Sequence, residues 1–193
     1  AEVEGKGKTE DDLAYKRGER QFYNNLITEL PIGNFAYTIA KQLIISAFEF
    51  FQYTELMKSS DSTIAGISAK AIKEVRYHLA HAKDWTNRLG QGTEVSHAKL
   101  QEAFNDLWMF SDELFEMDEV DQYLLTDGIS IDLAKLKSSW TEFMMPVLEI
   151  NSITLPEASY MQTGSRKGIH TEYLGHLLTE VQYLQRAYPD ATW

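Results

Sequence analysis

The chain of 193 residues contains no cysteine at all. That absence excludes disulfides, thiolate metal sites and cysteine nucleophiles together. Proline is scarce, with four in the whole chain. Long apolar runs are also missing: the longest, LIISAF over 43–48, is far too short to cross a bilayer. The start, AEVEGKGKTEDD, is polar and lacks the apolar region of a signal peptide. Basic charge is in deficit, with 18 Lys and Arg against 29 Asp and Glu, a formal charge of −11. Such a balance argues against a nucleic-acid backbone and against an anionic membrane surface as partners. A cytoplasmic protein is the expectation.

What is present reads as an all-α fold. Apolar residues make up 44 % of the chain, enough for a globular core. No stretch alternates with period two, and no Asn-Gly or Asp-Gly hairpin signal separates β-branched runs. A first helical stretch is expected over Asp11–Leu30, closed by Pro31-Ile32-Gly33. Asn34 can cap a second helix, Phe35 to about Ser59, whose apolar residues point almost all round and predict a central position. Asp61 or Ser62 opens a third, ending at Leu89 with Gly90 as a left-handed stop. A fourth is expected over Thr93–Phe115 and a short acidic one over Asp118–Leu125, before an Asp127-Gly128 turn. A long helix over Asp132–Ile150 contains Pro146, which should bend it. After a loop over Asn151–Gly168, a last helix runs His170–Ala187. One domain over 1–193 is expected.

Within the third helix, Val75 centres an apolar stripe with Ile64, Ala71, Leu79, Ala82 and Leu89. Glu74, His78, His81 and Trp85 follow at i, i+4, i+7 and i+11, roughly 60 to 120° to one side. Tyr77 lies next to Glu74 and His81. In the last helix, Tyr173, Leu177, Val181 and Leu184 share a stripe, with Glu180 inside it and His176 on its border. Glu172 and His176 are again i, i+4. Glu49 stands between Phe48 and Phe50 on the mostly apolar second helix. A buried carboxylate is costly unless paired or metal-bound, so a carboxylate-bridged di-iron site has to be weighed.

Such a site takes one Glu from each of two helices and Glu-x-x-His from each of two others. Glu74 is followed at i+3 by Tyr77, and Glu180 by Tyr183, so neither of these carboxylates heads a Glu-x-x-His. A phenol with a pKa of about 10 is a poor replacement ligand. The candidates Glu49, Glu74, Tyr77, His78 and Glu180 therefore make at best a degenerate metal site. We read Glu74, His78, His81, Glu172, His176 and Glu180 instead as a buried polar network that fixes helix register. A metalloenzyme in its own right, di-iron or mononuclear, is the alternative.

Other motifs carry less. Gly164-Ser165-Arg166-Lys167-Gly168 stands before the last helix, and a basic loop there could hold a phosphate, as of coenzyme A. An ordinary loop that offsets an acidic protein explains it as well. His97 and His170 read as helix-end or surface residues. No nucleophile elbow, P-loop or dinucleotide fingerprint is present.

With the helices laid out, four segments carry a resemblance: EDDLAYKRGERQFYN (10–24), ELPIGNFAYTIAKQ (29–42), KAIKEVRYHLAHAKDW (70–85) and GIHTEYLGHLLTEVQYLQRAYPDATW (168–193). On these the chain is identified as a member of the C-subunit family of bacterial phenylacetyl-CoA epoxidases (phenylacetate-CoA oxygenases), the PaaC family. The resemblance implies a ferritin-like bundle and a non-catalytic structural subunit of a multicomponent oxygenase. It implies a hetero-oligomer: a related catalytic subunit holding the di-iron centre, a small third subunit, and a reductase carrying NADPH, flavin and an iron–sulfur centre. No cofactor is expected in this chain itself. The reaction implied is O₂-dependent epoxidation of the aromatic ring of phenylacetyl-CoA. The family's first helix pair precedes the position of Ala1, so an N-terminally incomplete bundle is the expectation.

Overall fold

The computed structural model describes residues 1–157, 160–189 and 191. Trp193, which closes the last resembling segment, lies outside them. Among the described residues every regular element is helical, in agreement with the all-α, ferritin-like bundle expected. The helices are α1 (Glu10–Ala14), α2 (Phe35–Leu56), α3 (Ser62–Gly90), α4 (Glu94–Leu107), α5 (Glu119–Thr126), α6 (Leu133–Ile150), α7 (Glu172–Val181) and α8 (Tyr183–Ala187). No described helix is long and apolar enough to cross a membrane. The chain divides into two compact units, Ile32–Gln162 and a second made of Ala1–Pro31 with Thr163–Trp193.

In the larger unit, short polar side chains start each long helix. Asn34 accepts the Tyr37 amide at 3.1 Å, and Asp61 accepts those of Thr63 and Ile64 at 2.8 and 3.0 Å. Thr93, Asp118 and Asp132 do the same for α4, α5 and α6. Each satisfies amides that the first helical turn leaves without a partner. Gly128 turns the chain between α5 and α6 at φ +70°.

The central place expected for α2 is the one observed: it packs against α3, α4 and α6. Its residues Ala36, Ile39, Ala40, Leu43, Ile44, Ala47 and Phe48 are buried. Opposite them, α3 buries Val75, Leu79 and Ala82 of the expected stripe together with Ile72, while Ile64, Ala71 and Leu89 are half-buried. From α6, Trp140 enters the core at 2 % exposure and stacks on Trp108, centroids 5.4 Å apart. It meets the Phe115 edge at 5.4 Å and donates its indole N–H to the Ile44 carbonyl at 3.2 Å. A polar group thus enters the core with its partner supplied.

Three expectations are corrected. Asp11–Leu30 is not one helix: only Glu10–Ala14 is α-helical, and short 3-10 turns follow at Glu19–Gln21 and Leu26–Thr28. Gly18, Phe22 and Asn25 adopt extended backbone there, and burial is confined to Leu26, Ile27, Glu29 and Leu30. Without a continuous apolar stripe, a solvated helix in this stretch has little to hold it. Gly90 is no left-handed stop but the last residue of α3. A Cβ there would meet the Asn151 side chain at 2.6 Å, so closeness to the end of α6, not backbone twist, calls for glycine. Finally, α4 stops at Leu107 and two 3-10 turns, Trp108–Phe110 and Asp112–Phe115, replace its expected last part.

Candidate functional site

Two groups of side chains are candidates for a site, one in each unit. In the larger unit, the outer edge of α3 carries Tyr77, His81 and Trp85 at i, i+4 and i+8. The Tyr77 and His81 rings stack at 6.2 Å with 28° between planes, and His81 lies 6.5 Å from Trp85. Phe35, from the first turn of α2, closes the ladder edge-on against Trp85 at 5.0 Å. The Phe35, Tyr77 and His81 rings, with Thr38, Ile39 and His78, border an open groove of about 360 Å³. Tyr77 is 69 % exposed and Phe35 51 %.

His78 turns inward from that ladder toward α2. There Glu49 is half-buried, and desolvation raises its carboxyl above the ordinary glutamate value while the neighbouring His78 ring pulls it back down. Of the expected network, His78 alone turns toward the seam in the larger unit, and its neighbour there, Glu49, comes from the metal candidates instead. Glu74 and His81 are exposed. The i, i+4 step from Glu74 to His78 follows the helix round from solvent to the seam, so the two are not buried together.

In the second unit, Glu172, His176 and Glu180 are all exposed on α7, whose buried residues are Leu174 and Leu178. The stripe expected to face a core, Tyr173, Leu177, Val181 and Leu184, lies at the surface. Assigning one apolar face to the core picked the wrong one of two, since Leu174 and Leu178 make an equally regular pair. The expected last helix is also divided at Gln182 and begins at Glu172, which leaves His170 outside it. Six residues read as one buried network therefore do not form one within either unit.

Among the described residues, no group of three or more His, Asp or Glu side chains could hold a metal ion. Tyr77 stands on the exposed side of α3 while Glu49 sits in the seam. The residues present do not fit a bridged metal pair.

Arg166 and Lys167 belong to a 3-10 turn, Ser165–Lys167, held between Gly164 at φ +121° and Gly168 at φ +69°. A Cβ on Gly168 would run into the Arg20 backbone, so the glycine serves a close approach of two chain segments.

Sequence reasoning missed His170. Its side chain is fully buried and lies 2.6 Å from Glu29, itself 1 % exposed at the side chain. Nothing local announces this, because the partner is 141 residues away.

Similarity to known proteins runs the length of this sequence. A family model described as phenylacetic acid catabolic protein matches residues 1–193. Over the same 193 residues the chain is 47 % identical to a 1,2-phenylacetyl-CoA epoxidase component of Escherichia coli strain K12, its C subunit. The match covers all of this chain and 77 % of that protein. The chain belongs to the phenylacetic acid catabolic protein family.

Proposed function

We propose, for this member of the phenylacetic acid catabolic protein family, the role of a structural component of a multicomponent phenylacetyl-CoA epoxidase. The observation that carries the reading is the 47 % identity, unbroken over the whole chain, to a protein named as the C subunit of that enzyme. In the proposed complex, a related ferritin-like subunit holds the di-iron centre and epoxidises the aromatic ring of phenylacetyl-CoA in the cytoplasm. The oxygenase also includes a small third subunit, and a reductase supplies electrons from NADPH through flavin and an iron–sulfur centre.

Two features of this chain support a structural rather than a catalytic part. Glu-x-x-Tyr stands at both Glu74 and Glu180 where a di-iron bundle needs Glu-x-x-His. Apolar side chains such as Tyr77, Leu177 and Leu184 are displayed outward, as on proteins that work in contact with others. In this reading the chain performs no chemical step. It holds the catalytic subunit in a productive shape.

The test is elemental iron on the chain purified alone under anaerobic, reducing conditions, together with capture of the catalytic subunit. Near-zero iron in a folded helical protein that retains the catalytic subunit is expected. Two irons per chain, lost on Glu74→Ala, would sink the reading and restore a metalloenzyme.

A further inference from the structure

The buried pair Glu29–His170 has a bonding pattern that assigns its protons. His170 Nε2 lies 2.9 Å from the Phe22 carbonyl oxygen. A carbonyl only accepts, so Nε2 carries a proton. Nδ1 lies 2.6 Å from Glu29 Oε1. That carboxyl already receives three donors: Asn24 Nδ2 on Oε1 at 2.9 Å, and the Thr171 amide and hydroxyl on Oε2 at 2.8 and 2.7 Å. With donors on both oxygens, this carboxyl is used as an acceptor throughout, which is the bonding pattern of a carboxylate. Nδ1 must then carry a proton too.

We propose that Glu29 and His170 form a buried carboxylate–imidazolium clip, whose carboxylate also caps α7 from a distant part of the chain. The residue in capping position, Thr171, caps nothing with its own side chain and instead donates its hydroxyl to Glu29. The carboxylate thus stands at the positive end of a ten-residue helix, where negative charge is favoured. One group thereby joins three segments: the Phe22–Asn24 strap, the 26–29 turn and the start of α7. Farther along, Gln182 Nε2 donates to the Arg17 carbonyl at 2.7 Å and ties the far end of α7 to the chain five residues before Phe22. The clip fixes the orientation of a helix that displays Tyr173 and Leu177 to solvent. It is independent of the proposed function.

Nitrogen-15 NMR of the His170 ring in the full chain at neutral pH tests it. Both ring nitrogens should be protonated, with the Nδ1 proton slow to exchange. A pyridine-type nitrogen signal would overturn the assignment. In Glu29→Gln, which keeps the shape and removes the charge, the ring should lose its second proton. A role in packing alone predicts no such change, and an unchanged ring spectrum in that variant would count against the clip. In His170→Gln, exchange of the Thr171 amide should quicken by roughly a hundredfold or more, while α2 and α3 amides stay protected. Unaltered Thr171 protection would also overturn it. Should either variant fail to fold, the wild-type ring spectrum alone decides.

Discussion

Glu49 on α2 lies close enough to His78 on α3 to feel its charge across the seam between the two longest helices. Burial raises the carboxyl there, and the imidazole partly offsets the rise. A carboxyl raised in the fold favours its protonated form. The contribution of Glu49 to stability is therefore greatest below the ordinary glutamate range and is lost as pH rises through the raised value. Glu49→Gln should stabilise the protein at neutral pH and change little at pH 4. The gain should stay under about 1 kcal/mol, because water reaches part of the carboxyl. Thermal unfolding at the two pH values checks the sign, and a less stable Glu49→Gln at neutral pH would refute it. His78→Ala should move the Glu49 titration, followed by carboxyl carbon-13 shifts, further upward.

The contact of Gly90 with Asn151 predicts a cost for the smallest possible change. Asn151 is 1 % exposed and donates to Asn87 Oδ1 at 2.8 Å and to the Val147 carbonyl at 2.7 Å. Its backbone carbonyl accepts from the His97 ring at 3.1 Å. A methyl group at position 90 would displace an anchor shared by α3, α4 and α6. Helix propensity alone would make Gly90→Ala stabilising by up to about 1 kcal/mol. Overpacking should win, for a net loss of about 1–3 kcal/mol in denaturant unfolding. A stabilised variant would show that the Asn151 side chain moves aside freely.

The parts of this fold legible in the sequence are those encoded within one turn of helix. Asn34, Asp61, Asp118 and Asp132 announce their helices because a short acceptor beside free amides is a local arrangement. The α3 stripe around Val75 is legible for the same reason, as a period in one segment. Asp11–Leu30 misled because its residues have adequate helix propensity, yet the structure there is decided by distant contacts such as that of Glu29 with His170. The face of α7 was misjudged because periodicity says which residues share a side, and not which side meets a core. The degenerate Glu-x-x-Tyr motifs were legible as chemistry, while the exposure of Glu74 and Glu180 was not.

Trp140 ties α6 to α2 through one hydrogen bond, to Ile44, and to the two 3-10 turns after α4 through ring contacts with Trp108 and Phe115, which two substitutions can separate. Trp140→Phe removes the indole donor to Ile44 and part of the ring, and should cost about 1–2 kcal/mol. Trp140→Ala also empties the space between Trp108 and Phe115 and should cost about 3–5 kcal/mol. Equal losses from the two variants in denaturant unfolding would mean that the hydrogen bond, not the packing, dominates.

The exposed α7 stripe separates stability from association. Leu177 is 49 % exposed, so Leu177→Asp removes little apolar burial and should change unfolding free energy by no more than about 0.5 kcal/mol. If the chain acts as a structural subunit and α7 lies in the contact, the same change puts a charge into an interface that excludes water. The catalytic subunit should then bind about tenfold or more weakly, read by titration calorimetry or by co-purification yield. Tyr77→Ser on the α3 ladder makes the matching test in the other unit, since Tyr77 is also exposed and its loss leaves the Val75 stripe intact. A loss of binding in one variant alone would assign the interface to that unit. Unchanged binding in both, with folding intact, would place the contact on other surfaces and remove exposed apolar area as an argument for partnership.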